Sequence, residues 1–592
     1  TFVIPRLWVG AESIVPGSLQ ILNSEVFEGR GAVRNMCWIK TSTMEQNGYI
    51  GLVKSAIENY SDFSAFTDFK GETTSFREVG KYIYKCHRVY KALGIKPGDK
   101  VALIGRNSTN WAIIYLGAVT YGATIVPILP DFSPSDINHI VNHSGSVLLF
   151  SSHQIFDKID ENKMSGLKGI VSVDDFSVLV DHQGKVEKAI EKARNEVEKL
   201  GDQFTPAEIS FFQPREDDVM VLSYTSGTSG FSKGVLLPHR SIWSNVQYAR
   251  DTFDITPGER IVSFLPLAHA YGCLFEFLWP FTEGVHVTFL SRTPSPQIIT
   301  EAFRAVRPHL ILAVPLILEK IFKKKILPKL EKGTVKTILK VPFLNKVVYE
   351  KVRKNLVEVF GGEFREMIVG GAALNKDVEI FLRKIGFPLT IGYGMTECGP
   401  LISYAPWNET RQNSAGRIVD RMEVQIDSND PYNQVGEILV RGENNMLGYY
   451  KNKEATGEMF DDEGWLHTGD LGVIDKDQFI YIKGRSKNMI LGASGQNIYP
   501  EEIEAVINNK DYVQECLVRD NDGRIEALVY PDYEAVDAEN LSDAGIEEVF
   551  QNIKKEVNNE LPAFMNISRI VVFPEEFEKT PKKSIKRYKY TN

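Results

Sequence analysis

From residue 48 onward the chain alternates two hydrophobic periods. Apolar positions recur at helical spacing over residues 50–60, 76–93 and 110–121. Residues 100–105 and 123–128 are instead short apolar runs bounded by turn residues, as buried strands are. Residues 61–68 read as a further strand running into a Lys70-Gly-Glu turn. Helices alternating with apolar strands predict an α/β fold, with a largely parallel sheet covered on both faces. Residues 217–223 make another buried-strand pattern, and residues 238–245 look like a helix start. Residues 369–374 read as a strand end and turn. Residues 186–200 are dense in charge and are expected as a solvated helix. Beyond residue 492 a glycine-rich stretch gives way to a helical pattern, and the rest reads as a small α/β cap.

Length adds to this picture. At 592 residues the chain exceeds what one hydrophobic core supports, so at least two domains are expected. A net charge of −9 argues against general nucleic-acid binding. The five cysteines form no C-x-x-C pair, which suits a reducing compartment and offers no disulfide framework or zinc cluster. No run of eighteen apolar residues occurs, so no segment reads as membrane-spanning. Residues 1–43 lack a regular period and a signal-peptide pattern. They are expected to be a dispensable extension, with Met44 as the initiator.

The chemistry concentrates in residues 224–235, YTSGTSGFSKGV. Gly227, Gly230 and Gly234 let the backbone approach a ligand closely. Thr225, Ser226, Thr228 and Ser229 supply hydroxyls, and Lys233 adds a mobile positive charge, a set suited to a nucleotide polyphosphate. The spacing is not that of the P-loop, because Lys233 is followed by Gly234. His139 and His143 stand four apart but lack the accompanying glutamate and a third ligand, so a structural or surface role is expected.

Residues 224–235 resemble the phosphate loop of the adenylate-forming superfamily, with Ser232 where a proline is usual and Ser229 where a threonine is. Residues 391–398, IGYGMTEC, and the Thr468-Gly-Asp470 triplet resemble two further motifs of that superfamily. The resemblance runs from about residue 48 to 590 and is nearest to bacterial long-chain fatty-acid–CoA ligases. It implies ATP, Mg²⁺ and CoA as reactants, with a fatty acid activated first to acyl-AMP and then to the thioester. The phosphate loop, Thr225 through Gly230 with Lys233, would hold the phosphates, and Thr228 with Glu397 would hold Mg²⁺. Gly371, Ala372, Ala373, Tyr393 and Gly394 would flank adenine. Thr396 would reach a phosphate oxygen, Asp470 the ribose hydroxyls, and Arg485 the ribose or a phosphate. Ser494 and Gly495 would lie along the pantetheine of CoA. His269, in the stretch SFLPLAHAYG, would stand near the acyl carboxylate. Phe275, Phe277 and Trp279 read as core, although one of them could line an acyl tunnel.

The implied organisation is an AMP-binding domain over residues 44–484, a hinge at 485–487 and a mobile cap over 488–592. The tail departs from the family pattern: Ser584 occupies the position of the adenylation lysine. Lys586 is then the candidate replacement over Lys583, on the reading that an extended tail puts Lys586 on the same face as Ser584. Residues 320–354 carry twelve Lys/Arg against two Glu, interleaved with apolar residues. A solvated basic face and a surface that meets anionic membrane both fit this pattern. A cytoplasmic protein, peripheral to the membrane if the basic segment binds it, is expected. An acyl-acyl-carrier-protein synthetase and a weakened acyl-binding member remain alternatives.

Overall fold

The computed structural model describes residues 48–225, 232–292, 295–322, 327–330, 344–492, 496–580 and 584–591. Residues 1–43, Met44, most of the phosphate loop (Ser226, Gly227, Thr228, Ser229, Gly230), Ser494, Gly495, Lys583 and much of the basic segment lie outside them.

The central sheet has eight strands. In chain order they are β1 (Lys100–Ile104), β2 (Thr124–Ile128), β3 (Ser146–Ser151), β4 (Gly169–Ser172), β5 (Val178–Asp181), β6 (Val219–Thr225), β7 (Lys233–Pro238) and β8 (Gly448–Tyr449). They lie in the spatial order β8-β7-β6-β2-β1-β3-β4-β5. β6, β2, β1, β3 and β4 run parallel, and antiparallel strands close both edges. β2 is buried along its whole length, as expected of a strand covered on both faces. The covering helices are well specified locally. Helix Phe76–Ala92 starts on a reciprocal Ser75–Glu78 capping box, and helix Thr109–Tyr121 ends on Gly122 at φ 92°. Residues 186–200 do form a helix, but it is not solvated all round. Val186, Ala189, Ile190 and Ala193 are buried, while the charged residues occupy the other face. The strand expected over residues 61–68 begins only at Ser64, after a turn in which Phe63 N–H donates to the Tyr60 carbonyl.

A second, three-stranded parallel sheet (Leu310–Ala313, Glu366–Val369, Leu389–Ile391) ends at the turn carrying Gly371. A four-stranded antiparallel sheet spans Met422–Asp427, Gly436–Gly442, Leu466–Ile474 and Ile480–Arg485. One large core runs through all of this, and a separate core of Ile503, Val518, Val529, Phe550 and Val557 holds the C-terminal α/β unit. A large and a smaller α/β domain result. Among the described residues, no helix is long and apolar enough to cross a membrane.

Candidate active site

Lys233 opens β7, directly opposite Thr225, the last described residue of β6. The two strands form a hairpin whose loop is residues 226–232, so the backbone fixes where the lysine emerges. β8 pairs on the outer side of β7, with Tyr449 opposite Val235, and Tyr450 N–H donates to the Gly234 carbonyl at 2.7 Å. That pairing stands Tyr449 under the lysine, whose Nζ lies 4.9 Å from the ring centre. The Tyr449 hydroxyl donates to Glu397 Oε1 at 2.9 Å. Burial and the neighbouring Glu397 carboxylate push the Tyr449 pKa above 10, so the phenol stays a proton donor at neutral pH.

Glu397 sits in a single helical turn, Thr396–Cys398, with Thr396 and Glu397 both buried. A hard, oxygen-only donor of this kind fits Mg²⁺, which usually takes one or two carboxylates and completes its shell with phosphates and water. Among the described residues, no three His, Cys, Asp or Glu side chains gather as a metal cluster. The donor set therefore fits an ion that arrives with its polyphosphate. Thr228, the other expected ligand, lies outside the described residues.

The third group is Asp470, 5% exposed, in the strand Leu466–Ile474. Tyr393 Oη donates to its Oδ2 at 2.8 Å, and Arg485 Nε lies 2.8 Å from Oδ1. Arg485 is the register partner of Asp470 on the neighbouring strand, so sheet pairing itself brings the two together. Burial raises the Asp470 pKa above 3.8, Arg485 and Tyr393 oppose the rise, and Glu397 is close enough to add to it. The turn before Asp470 is held by Glu437, which accepts from Gly469 N at 2.8 Å and bonds His467 Nδ1 at 3.0 Å. Lys233, Tyr449 and Glu397 thus form one contact group, and Tyr393, Asp470 and Arg485 a second. Gly394 follows Tyr393 in the same strand, and a side chain there would collide with the Pro400 carbonyl.

The Gly370–Leu374 turn follows the strand Glu366–Val369. Gly371 takes φ 85°, and Ala372 and Ala373 are exposed, so this backbone is open to a ligand. Tyr271 packs its ring against Gly370 and donates its hydroxyl to the Ile368 carbonyl at 3.0 Å. His269 caps the short helix Ala270–Cys273 through Nδ1, which accepts from Tyr271 N–H. Ala268, Ala270, Cys273, Leu274 and Leu278 line a small, mostly apolar cleft. Phe275, Phe277 and Trp279 do not face this cleft; they are buried core residues. The segment is pinned by Glu276, fully buried, which accepts from Ser263 Oγ and from the N–H groups of Phe264 and Leu265 at 3.0–3.1 Å. Asn107 accepts from Leu267 N–H and donates to the Leu265 carbonyl. Neither residue was singled out from sequence, although an acidic residue inside the apolar run CLFEFLW was a visible signal.

The tail differs from the extended strand expected of it. Lys579 and Ile585 are bridged antiparallel, Thr580 N–H donates to the Ser584 carbonyl, and Lys586 N–H donates to the Glu578 carbonyl. Beyond Lys586 the chain enters one helical turn, Arg587–Lys589. Lys586 Nζ lies 3.6 Å from Glu578 Oε2, an ion pair within the C-terminal unit. Arg587 anchors the turn on the half-buried Glu504 with bonds of 2.5–2.6 Å. His143 Nδ1 is hydrogen-bonded to Tyr224 Oη at 2.8 Å, which accounts structurally for a histidine whose spacing might have suggested a metal.

The AMP-binding enzyme family model matches residues 53–450, and the AMP-binding enzyme C-terminal domain matches residues 487–592. The chain belongs to the AMP-binding enzyme family. A long-chain-fatty-acid–CoA ligase of Salmonella typhimurium is 28% identical over 501 residues, 79% of this chain and 82% of that one. The peroxisomal long chain acyl-CoA synthetase 7 of Arabidopsis thaliana is 28% identical over 80% of this chain and 69% of its own length. Among solved structures, an anthranilate CoA ligase in complex with anthranoyl-AMP matches with a TM-score of 0.74 at 19% identity, covering 92% of this chain and 96% of that one. A Mycobacterium tuberculosis fatty acyl CoA synthetase matches with a TM-score of 0.63 at 21% identity, covering 92% and 97%.

Proposed function

We propose that the protein is a long-chain fatty-acid–CoA ligase. The fatty carboxylate attacks the α-phosphorus of ATP, an acyl-AMP anhydride forms, and pyrophosphate leaves. The CoA sulfur then attacks the acyl carbonyl and AMP leaves. What carries this reading is a chain of the AMP-binding enzyme family that holds Lys233 beside Tyr449 and Glu397, and a buried Asp470 between Tyr393 and Arg485.

Two anions must meet in the first step, so positive charge and donors at the phosphates are what the protein has to supply. Lys233 would hold the phosphate oxygens, with Thr225 and the loop hydroxyls beside it. Glu397 would hold Mg²⁺, which when bound offsets the charge that builds on the departing pyrophosphate. Asp470 would take the ribose hydroxyls and Tyr393 would flank adenine. His269 would stand at the carboxylate, next in the chain to the apolar residues Ala268 and Ala270.

The second step needs different neighbours around the same carbonyl, which suits a cap over residues 488–592 swinging about 485–487 against a domain over 44–484. Lys586 would serve the first step in the absence of a lysine at Ser584. The long-chain assignment draws on the names of the relatives, and an exposed Val347 (65%) beside Lys346, Lys351 and Lys354 supports a basic face that meets anionic lipid. A substrate series from acetate to oleate, with benzoate, read as AMP release with CoA or with holo-acyl-carrier protein, tests acid and acceptor together. Turnover confined to short or aromatic acids would refute the fatty-acid assignment, and release that needs the carrier protein would replace CoA as the acceptor.

A further inference from the structure

Lys233 and Glu397 present a physical problem. A mobile ammonium and a buried carboxylate in one poorly solvated site attract strongly, and a direct pair would neutralise both. It would also fill the space that a polyphosphate has to enter. Among the described contacts they form no ion pair, and Tyr449 touches both. Tyr449 offers its ring face to Lys233 Nζ at 4.9 Å and its hydroxyl to Glu397 Oε1 at 2.9 Å.

The placement of Tyr449 is rigid. It belongs to β8, whose backbone pairs with the exit strand of the phosphate hairpin, with Gly448 opposite Leu236 and Tyr449 opposite Val235. Leu447 N–H donates to the Leu236 carbonyl at 2.9 Å, and Met446 N–H donates to the Glu397 carbonyl at 2.8 Å. Tyr449 is 7% exposed, and its N–H is held by Thr456 Oγ1 at 2.9 Å. Residues 446–449 thus join the hairpin to the Glu397 turn and present the ring at a fixed height.

We infer that Tyr449 is a positioning residue that keeps the phosphate lysine and the metal carboxylate apart and ready. Each charge has a weak, replaceable partner, a π face for the ammonium and a neutral O–H for the carboxylate. A magnesium polyphosphate can then displace both contacts without first breaking an ion pair. The inference rests on the proposed roles of Lys233 and Glu397.

The test is a double-mutant cycle read by calorimetric titration of ATP with and without Mg²⁺, which does not depend on turnover. Tyr449→Phe keeps the ring and removes the hydroxyl. It is expected to weaken ATP binding in the presence of Mg²⁺ by about 3- to 10-fold, with the thermal midpoint held within about 2 °C, as expected of a near-isosteric change. Tyr449→Leu, which removes both contacts, should weaken it further. In a Glu397→Gln background, where no anion remains to capture Lys233, Tyr449→Phe should add almost nothing. Unchanged binding in Tyr449→Phe, or effects of Tyr449→Phe and Glu397→Gln that simply add, would overturn the inference. Failure of the ligase reading would appear separately, as normal ATP binding without acyl transfer.

Discussion

Replacing Asp470 by asparagine separates the binding role of this residue from its cost to the fold. The substitution preserves size, so packing around the 5%-exposed side chain should survive. What changes is the acceptor. A carboxylate can face the Tyr393 hydroxyl, Arg485 Nε and a ribose hydroxyl together, whereas an amide turns one of its two faces into a donor. A hydrogen bond to a charged acceptor contributes about 1.5–3 kcal/mol, so losing one ribose contact predicts ATP binding weaker by about 10- to 150-fold. Stability should move little, or the other way. Burial raises the proton affinity of Asp470 in the folded chain above that in the unfolded chain. The folded state therefore binds the proton more tightly, and the ionised carboxylate lowers stability as pH rises through its folded pKa. Arg485 is 62% exposed, so screening limits what the ion pair returns. ATP titration calorimetry and thermal melts from pH 4 to 8 read both effects. The asparagine variant should melt within a few degrees of the parent at pH 4 and gain on it towards pH 8. ATP binding within twofold of the parent, or a stability loss above about 3 kcal/mol, of the size expected when one partner of a buried ion pair is removed, would refute the reasoning.

The other predictions concern Glu276, the tail and the basic face. Glu276→Ala removes the acceptor of three buried donors at about 1–3 kcal/mol each and should cost at least 3 kcal/mol by urea denaturation, whereas Glu276→Gln, which keeps an acceptor oxygen, should cost clearly less. Lys586→Ala should cut acyl-AMP formation at least tenfold in single-turnover assays while thioester formation from supplied acyl-AMP stays near normal; equal loss in both would point to damage to the cap. Binding to anionic vesicles through residues 320–354 should be weak and should fall steeply from low to physiological salt, since exposed charges are screened over about 8–10 Å, and salt-insensitive binding would contradict an electrostatic surface.

The candidate residues Lys233, Glu397 and Asp470 could be picked out from sequence because strong local motifs carry them. The capping box at Ser75–Glu78 and the glycine at 122 mark helix ends without tertiary information. Tyr449 was not legible. Its function depends on β8 pairing with a strand some 210 residues earlier, and a two-residue strand leaves no periodic trace. Asn107 was hidden for the same reason, since its partners are Leu265 and Leu267. The charged helix over residues 186–200 was legible as a helix but not as a half-buried one, because its buried face uses small and β-branched residues amid many charges. The tail reading failed on Arg587, whose attachment to Glu504 bends the chain just where an extended run was expected.

The central claim is that this chain activates a fatty carboxylate by adenylation, and fatty-acid-dependent exchange of labelled pyrophosphate into ATP measures that step without CoA. The account predicts exchange that requires a medium- or long-chain fatty acid and Mg²⁺, and that falls by orders of magnitude in Lys233→Ala and Glu397→Ala. Protein that binds ATP yet shows no fatty-acid-dependent exchange would contradict it.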